Sequence, residues 1–128
     1  MTREQAVAWA EEWTAAWNDL ALERVLAHFD DDVAFTSPTA VAVVGVATVR
    51  GKAALRAYWT AAVARLTSLR FVIERVLWDA EARELAILYV SETNGSTKRV
   101  SENLTFGAHG LVVSAEVFHG VGDLRATP

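Results

Sequence analysis

"ELAILYVSETNGSTKRVSENLTFGAHGLVVSAEVFH", residues 84–119, decides the fold. Apolar and polar residues alternate along it with a period of two, the pattern of strands that bury one face. Asn94-Gly95 is a strong hairpin signal, because a two-residue type I′ turn needs positive φ at both central positions. Gly107 and Gly110 bracket a second turn. Together with the alternating run before them, these turns predict strands at 70–78, 84–93, 97–106 and 111–119.

The turns also predict registers. A two-residue turn at Asn94-Gly95 sets Thr93 opposite Ser96, and a turn centred on Ala108-His109 fixes the next ladder. Three rows then cross the strands: Ile87, Glu102, Ala115; Tyr89, Val100, Val117; and Ser91, Lys98, His119. Opposed residues point to the same side, so one face carries these rows with Leu85, Leu104, Phe106 and Val113. It is apolar except for Glu102, Tyr89 and the polar row at one end.

A carboxylate on such a face is costly to bury ionised and unpaired. Desolvation raises its pKa, the condition for a general acid or a neutral hydrogen-bond donor. Glu102 is therefore the leading candidate, with Tyr89 as its orienting partner. A second reading has the two as a satisfied polar pair in the core. In this register His119 lies four residues along from the partner of Glu102, about 13 Å away. It either contacts the far end of a shared ligand or faces solvent.

Upstream the period is helical. "TREQ" (2–5) is a capping box, and Trp9, Trp13 and Trp17 follow on one face. A second helix is expected over "LALERVLAHF" (20–29), with His28 at the edge of its apolar stripe, ending at Asp30-Asp31-Asp32. "VAFTSP" (33–38) reads as a short strand with Phe35 and Ser37. "RGKAALRAYWTAAVARL" (50–66) gives a third helix with Leu55, Tyr58, Trp59, Ala62 and Leu66 inward. The apolar segment 39–49 stays open between lid, edge strand and dimer contact. Helices first and strands after predict an α+β fold, the helices covering one face of a mainly antiparallel sheet.

Composition narrows the function. The 128 residues suit a single domain spanning 1–128, and 52% are hydrophobic. A net charge of −4 argues against a nucleic-acid surface. The longest apolar run, ten residues at 40–49, is too short to span a bilayer, and "MTREQ" is not a secretory leader; a cytoplasmic protein is expected. With no cysteine and three scattered histidines no metal set is recognisable. "GVATVRGKA" (45–53) lacks the spacing and the hydroxyl of a phosphate loop. No cofactor is expected.

Three stretches, "AAWNDLALERVLAHFDDDVAFTSP", "VRGKAALRAYW" and "RVSENLTFGAHGLVVSAEVFHG", resemble the nuclear-transport-factor-2-like, or SnoaL-like, superfamily, and the resemblance covers nearly the whole chain. It implies a curved sheet bent into an apolar, cone-shaped pocket closed by three helices. Its members include isomerases, cyclases, dehydratases, hydrolases and domains without chemistry. Compared with the ketosteroid isomerases, the general-base Asp falls on Ser37 and the oxyanion Tyr on Trp13. The protonated Asp, a carboxylic acid held neutral by its apolar site, falls on Glu102. Ketosteroid isomerisation by those residues is thus not expected.

The candidate catalytic set is Glu102, Tyr89 and His119. The candidate ligand-binding set is Trp13, Trp17, His28, Phe35, Ser37, Tyr58, Trp59, Ile87, Val100, Leu104, Ala115 and Val117. The expected partner is a small apolar molecule, acted on by acid–base catalysis or simply held. A third reading is a protein-interaction domain. A homodimer is expected through an outer sheet face bearing Val72, Val76, Trp78, Leu88, Val90, Val112 and Phe118.

Overall fold

The computed structural model describes residues 1–121. The order is α1 (Arg3–Asn18), α2 (Leu22–Leu26), β1 (Phe29–Thr36), α3 (Pro38–Val44), β2 (Thr48–Arg50), α4 (Lys52–Ala64), β3 (Leu69–Asp79), β4 (Glu84–Thr93), β5 (Ser96–Phe106) and β6 (Val112–His119). The six strands form one mixed, open sheet in the order β2-β1-β6-β5-β4-β3. Every ladder is antiparallel except that between β1 and β6. The architecture is α+β, with helices packed against the sheet: α1 along β3, α4 along β1, and α3 reaching β6.

Local chemistry accounts for the helices. Thr2 and Gln5 form the full capping box of α1. The predicted second helix is shorter than expected, because β1 already begins at Phe29. The open segment 39–49 resolves into two elements. Ser37 caps α3 by accepting from the Thr39 N–H, Pro38 occupies its first turn, and Gly45 closes it in the left-handed region at φ 81°. β2 then adds a short edge strand beside β1. A fourth helix is thus added to the three expected.

The β4–β5 ladder has the predicted register: Ile87 faces Glu102, Tyr89 faces Val100, and Ser91 faces Lys98. The β5–β6 ladder is shifted by two residues from expectation, so Glu102 faces Val117 and Val100 faces His119. The cause is a longer loop at 107–111. The Gly107 N–H bonds the Leu111 carbonyl, and the ladder shifts again between Thr105 and Phe106. The loop is tied down by His109, whose Nδ1 accepts from the Leu111 N–H and whose Nε2 lies 2.8 Å from Asp30 Oδ1. An even shift preserves the faces, so Ala115, Val117 and His119 stay inward while their rows slide. The irregularity beside Phe106, however, sets Val112 opposite it, rather than the expected Val113, and buries Val112.

β3 departs from simple alternation. A bulge between Ile73 and Arg75 turns Val76 and Trp78 inward, and Val112 is also buried. These three leave the expected outer face, which keeps Val72 and Phe118 at 41% and 54% exposure, and the bulge adds Leu77, not expected there, at 54%. β3 is an edge strand, yet part of its free edge is paired. Asn18, the last residue of α1, donates to the Phe71 carbonyl at 3.0 Å and accepts from the Phe71 N–H at 2.8 Å.

Between helices and sheet lies the core, with Trp13, Leu26, Phe29, Leu55, Leu85, Ile87 and Leu104 fully buried. Each such aliphatic or Phe side chain contributes roughly 1.5–3 kcal/mol on leaving water. One end of the sheet is sealed by Trp9, whose ring meets His28 at 5.3 Å and Phe106 at 5.2 Å, with Trp78 beyond Phe106 at 5.9 Å. Among the described residues no helix is long and apolar enough to cross a membrane.

Candidate functional site

The opposite end of the sheet is not sealed. The first residues of β3, the last of β4, the first of β5 and the last of β6 and β1 converge there beneath α1, α3 and α4. They enclose a cavity of about 180 Å³. Seven aromatic side chains line it, several of them in contact with one another. Trp13 stacks on Phe71 at 5.6 Å, Phe71 meets Tyr89 at 4.6 Å, Trp17 meets Trp59 edge-on at 5.0 Å, and Phe35 meets Trp59 at 5.2 Å.

Glu102 sits in this wall at 4% exposure. The Tyr89 phenol donates to its Oε1 at 2.9 Å. Glu102 Oε2 has no hydrogen bond to the described residues. Trp13 Nε1, on the same wall, is the one buried side-chain polar atom among them without a partner. Burial pushes the Glu102 carboxyl up to about 7, against the smaller opposing effect of the Tyr89 hydrogen bond. At neutral pH the group is therefore poised between acid and base. Tyr89 is driven well above the usual phenol range by burial and by the adjacent carboxylate, and so keeps its proton.

The remaining polar groups form two clusters. Tyr58 lies toward Ser37 and Thr39, burial raising its pKa while contacts with those hydroxyls oppose the rise. Ser91, Thr93, Lys98 and His119 line the other side. Burial, then the charge of Lys98, pushes His119 below the usual imidazole value. The shifted register brings His119 within two residues of the Glu102 row, about 7 Å along the strand and about half the separation the sequence suggested. Among the described residues no group of acidic or imidazole side chains is arranged to hold a metal.

Of the residues singled out in the sequence, Glu102, Tyr89, His119, Trp13, Trp17, Phe35, Ser37, Tyr58, Trp59, Val100 and Val117 lie on the cavity wall. Ile87, Leu104 and Ala115 point to the same face but are buried in the core, nearer its closed end. His28 packs against Trp9 at that end, half-buried, with its pKa pushed down by burial. The wall also includes Phe71, Leu69, Val63 and Thr39, which sequence reasoning missed. Phe71 carried a usable signal, since it is the third aromatic to meet Trp13 and Tyr89 once β3 is paired with β4. Thr39 became legible only with α3.

A family model described as a SnoaL-like domain matches residues 10–119. A SnoaL-like protein of unknown function from Burkholderia thailandensis is similar over 94% of this chain and 98% of its own, with 29% identity and a TM-score of 0.84. TerC, co-crystallised with polyporic acid, superposes with a TM-score of 0.74 at 16% identity, covering 90% and 91% of the two chains. A computationally designed 17-OHP binder has a TM-score of 0.69 at 20% identity, covering 90% and 95%. No curated protein matches the sequence.

Proposed function

The chain belongs to the SnoaL-like family, and from that premise we propose that its cavity binds a small, largely apolar, ring-containing molecule. Glu102 exchanges a proton or hydrogen bond with an oxygen of that molecule. One observation carries this reading: a buried carboxyl with its pKa raised to about 7 lines the cavity beside aromatic rings, with one oxygen accepting from Tyr89 and the other without a hydrogen bond to the described residues. A cavity of about 180 Å³ is slightly larger than the roughly 150 Å³ apolar cavity that holds benzene. TerC, co-crystallised with polyporic acid, and the designed 17-OHP binder are similar in fold, which supports a small-molecule ligand here.

The chemistry this arrangement suits is acid–base: isomerisation, cyclisation, dehydration or hydrolysis. Neutral Glu102 gives its proton to a ligand oxygen as negative charge develops there and regains one when the charge is lost. Ser37 stands where a carboxylate base is absent, so proton abstraction from carbon falls to Glu102 in its ionised form or to neutral His119. The test is a panel of small cyclic ketones and phenols, with binding followed by quenching of Trp13, Trp17 and Trp59 fluorescence and products by mass spectrometry. Product formed by the wild type and lost in Glu102→Gln supports the catalytic reading. Ligands bound and recovered unchanged assign the domain to binding alone. Absence of binding across the panel overturns both.

The exposed apolar trio Val72, Leu77 and Phe118 supports a further proposal that the outer sheet face pairs with a second copy of the chain. Light scattering at micromolar concentration should give a dimer mass, and Phe118→Lys should give a monomer. A monomer in the wild type overturns it.

A further inference from the structure

The cavity has a charged end as well as an aromatic one. On the inward face of β3 to β6 the ionisable side chains with acidic or basic character are Glu102, Lys98 and His119. Lys98 is half-buried in the cavity wall. No acidic oxygen of the described residues lies within 4.0 Å of its ammonium. The nearby acids are placed otherwise: Glu92 is on the outer side of β4, opposite Thr97, and Glu74 is held by Arg99 at 3.0 Å.

Hydrogen-bonding residues share this stretch of the wall with Lys98. Ser91 stands directly opposite Lys98 and is buried, with its hydroxyl 2.8 Å from that of Thr93. His119 stands opposite Val100, one inward position along from Lys98. Its lowered pKa leaves it neutral at pH 7, able to donate one N–H. A half-buried lysine with no acidic oxygen of the described residues beside it, on a wall shared with two hydroxyls and an imidazole, is suited to meet an anion that enters the cavity. The attraction is local, because the chain has sixteen acidic against twelve basic side chains.

We infer that this end of the cavity docks the anionic group of the ligand, and that the ligand is an aromatic carboxylate with a neutral oxygen at its far end. The inference rests on the ligand-binding reading above and narrows it. The ring lies among Trp13, Phe71 and Trp59, the carboxylate meets Lys98, Ser91 and His119, and the distal oxygen meets Glu102. Lys98 and Glu102 are four residues apart on one strand, roughly 13 Å. Once both side chains reach inward, a one- or two-ring acid spans the gap.

The test compares matched acids and carboxamides: 4-hydroxybenzoate, 4-hydroxycinnamate and 6-hydroxy-2-naphthoate, each against its amide, by tryptophan quenching at pH 7.5. The expected result is that at least one acid binds about tenfold more tightly than its amide, the scale of one charge-assisted contact. Lys98→Met should bring the acid's affinity down to that of its amide, and Lys98→Arg should retain the preference. Circular dichroism confirms that the variants are folded. Acids and amides binding equally to the wild type would overturn the anionic end while leaving the ligand pocket intact. A preference that survives Lys98→Met would also overturn it. Binding by neither series would overturn the pocket reading, and this inference with it.

Discussion

Tyr89 and Glu102 lie on adjacent strands, diagonal to one another on the inward face, and are joined by a 2.9 Å hydrogen bond from phenol to carboxyl. Among the described residues the carboxyl has this one partner, in a setting where two or three would be needed to keep it ionised at low cost. Most of the expected behaviour of the site follows from that shortage.

Folding stability should fall as pH rises from about 4.5 to about 7. The native Glu102 carboxyl binds its proton more tightly than the unfolded one, since its pKa is raised from 4.5 to about 7. Its contribution is fully present below pH 4.5, is lost progressively across that window, and is constant above it. The loss is on the order of 3 kcal/mol. The half-buried histidines His28 and His119, with pKa pushed down, slope the opposite way, so the comparison is with Glu102→Gln. Urea midpoints measured from pH 4 to 8 should show the variant gaining on the wild type up to pH 7. Parallel curves would refute the raised pKa.

Tyr89→Phe should move the Glu102 pKa further up, because the phenol's hydrogen bond is what holds it down against burial. Loss of the bond costs roughly 1–2 kcal/mol of stability. Carbon-detected NMR of the Glu102 carboxyl reads the shift directly. An unchanged titration would mean that Tyr89 fills space without setting the proton affinity.

Asn18→Ala should destabilise the protein by about 1–3 kcal/mol, since two hydrogen bonds to the Phe71 backbone go with it. Hydrogen exchange should accelerate at the Phe71 amide before the rest of β3. Uniform acceleration along β3 would show that the strand is held by β4 alone.

Leu104→Ala should separate stability from binding. The side chain is fully buried and lies off the cavity wall, so the expected cost is about 2–5 kcal/mol. Affinity for any ligand found for the pocket should stay within about twofold of the wild type under folding conditions. A large loss of affinity would place Leu104 back among the residues that touch ligand.

How much of this was legible in the sequence depends on turn chemistry. Asn94-Gly95 fixes a two-residue turn, and from it the β4–β5 register and the inward placement of Glu102 and Tyr89 follow without ambiguity. Gly107 and Gly110 allow more than one loop, and the five-residue solution, pinned by His109 to Asp30, slides β6 by two positions. Parity kept His119 inward, but its nearness to Glu102 was invisible. The bulge around Glu74 has no sequence signature of its own, so Val76 and Trp78 were placed on the wrong side. α3 was marked at both ends, by Ser37-Pro38 and Gly45, but its valine-rich interior fits a lid, an edge strand or a dimer contact equally well, and the helix was not anticipated. His28, Leu104 and Ala115 share faces with pocket residues, and face alone does not show how far along the sheet the cavity extends.

The parallel pairing of β1 with β6 sets an order of assembly during synthesis. The hairpins of β3 to β6 join neighbours in sequence and can form as they emerge. β1, made more than seventy residues before β6, has no central partner until that strand is complete, and such distant pairings are the slow ones. Until then the β1–β2 hairpin with α4 and the β3–β4–β5 strands with α1 are two unjoined halves, and the apolar surface between them stays uncovered and prone to association. The cavity is therefore among the last features of the nascent chain to close, and a ribosome stalled before residue 112 would carry a protein with its sheet half built and no binding site.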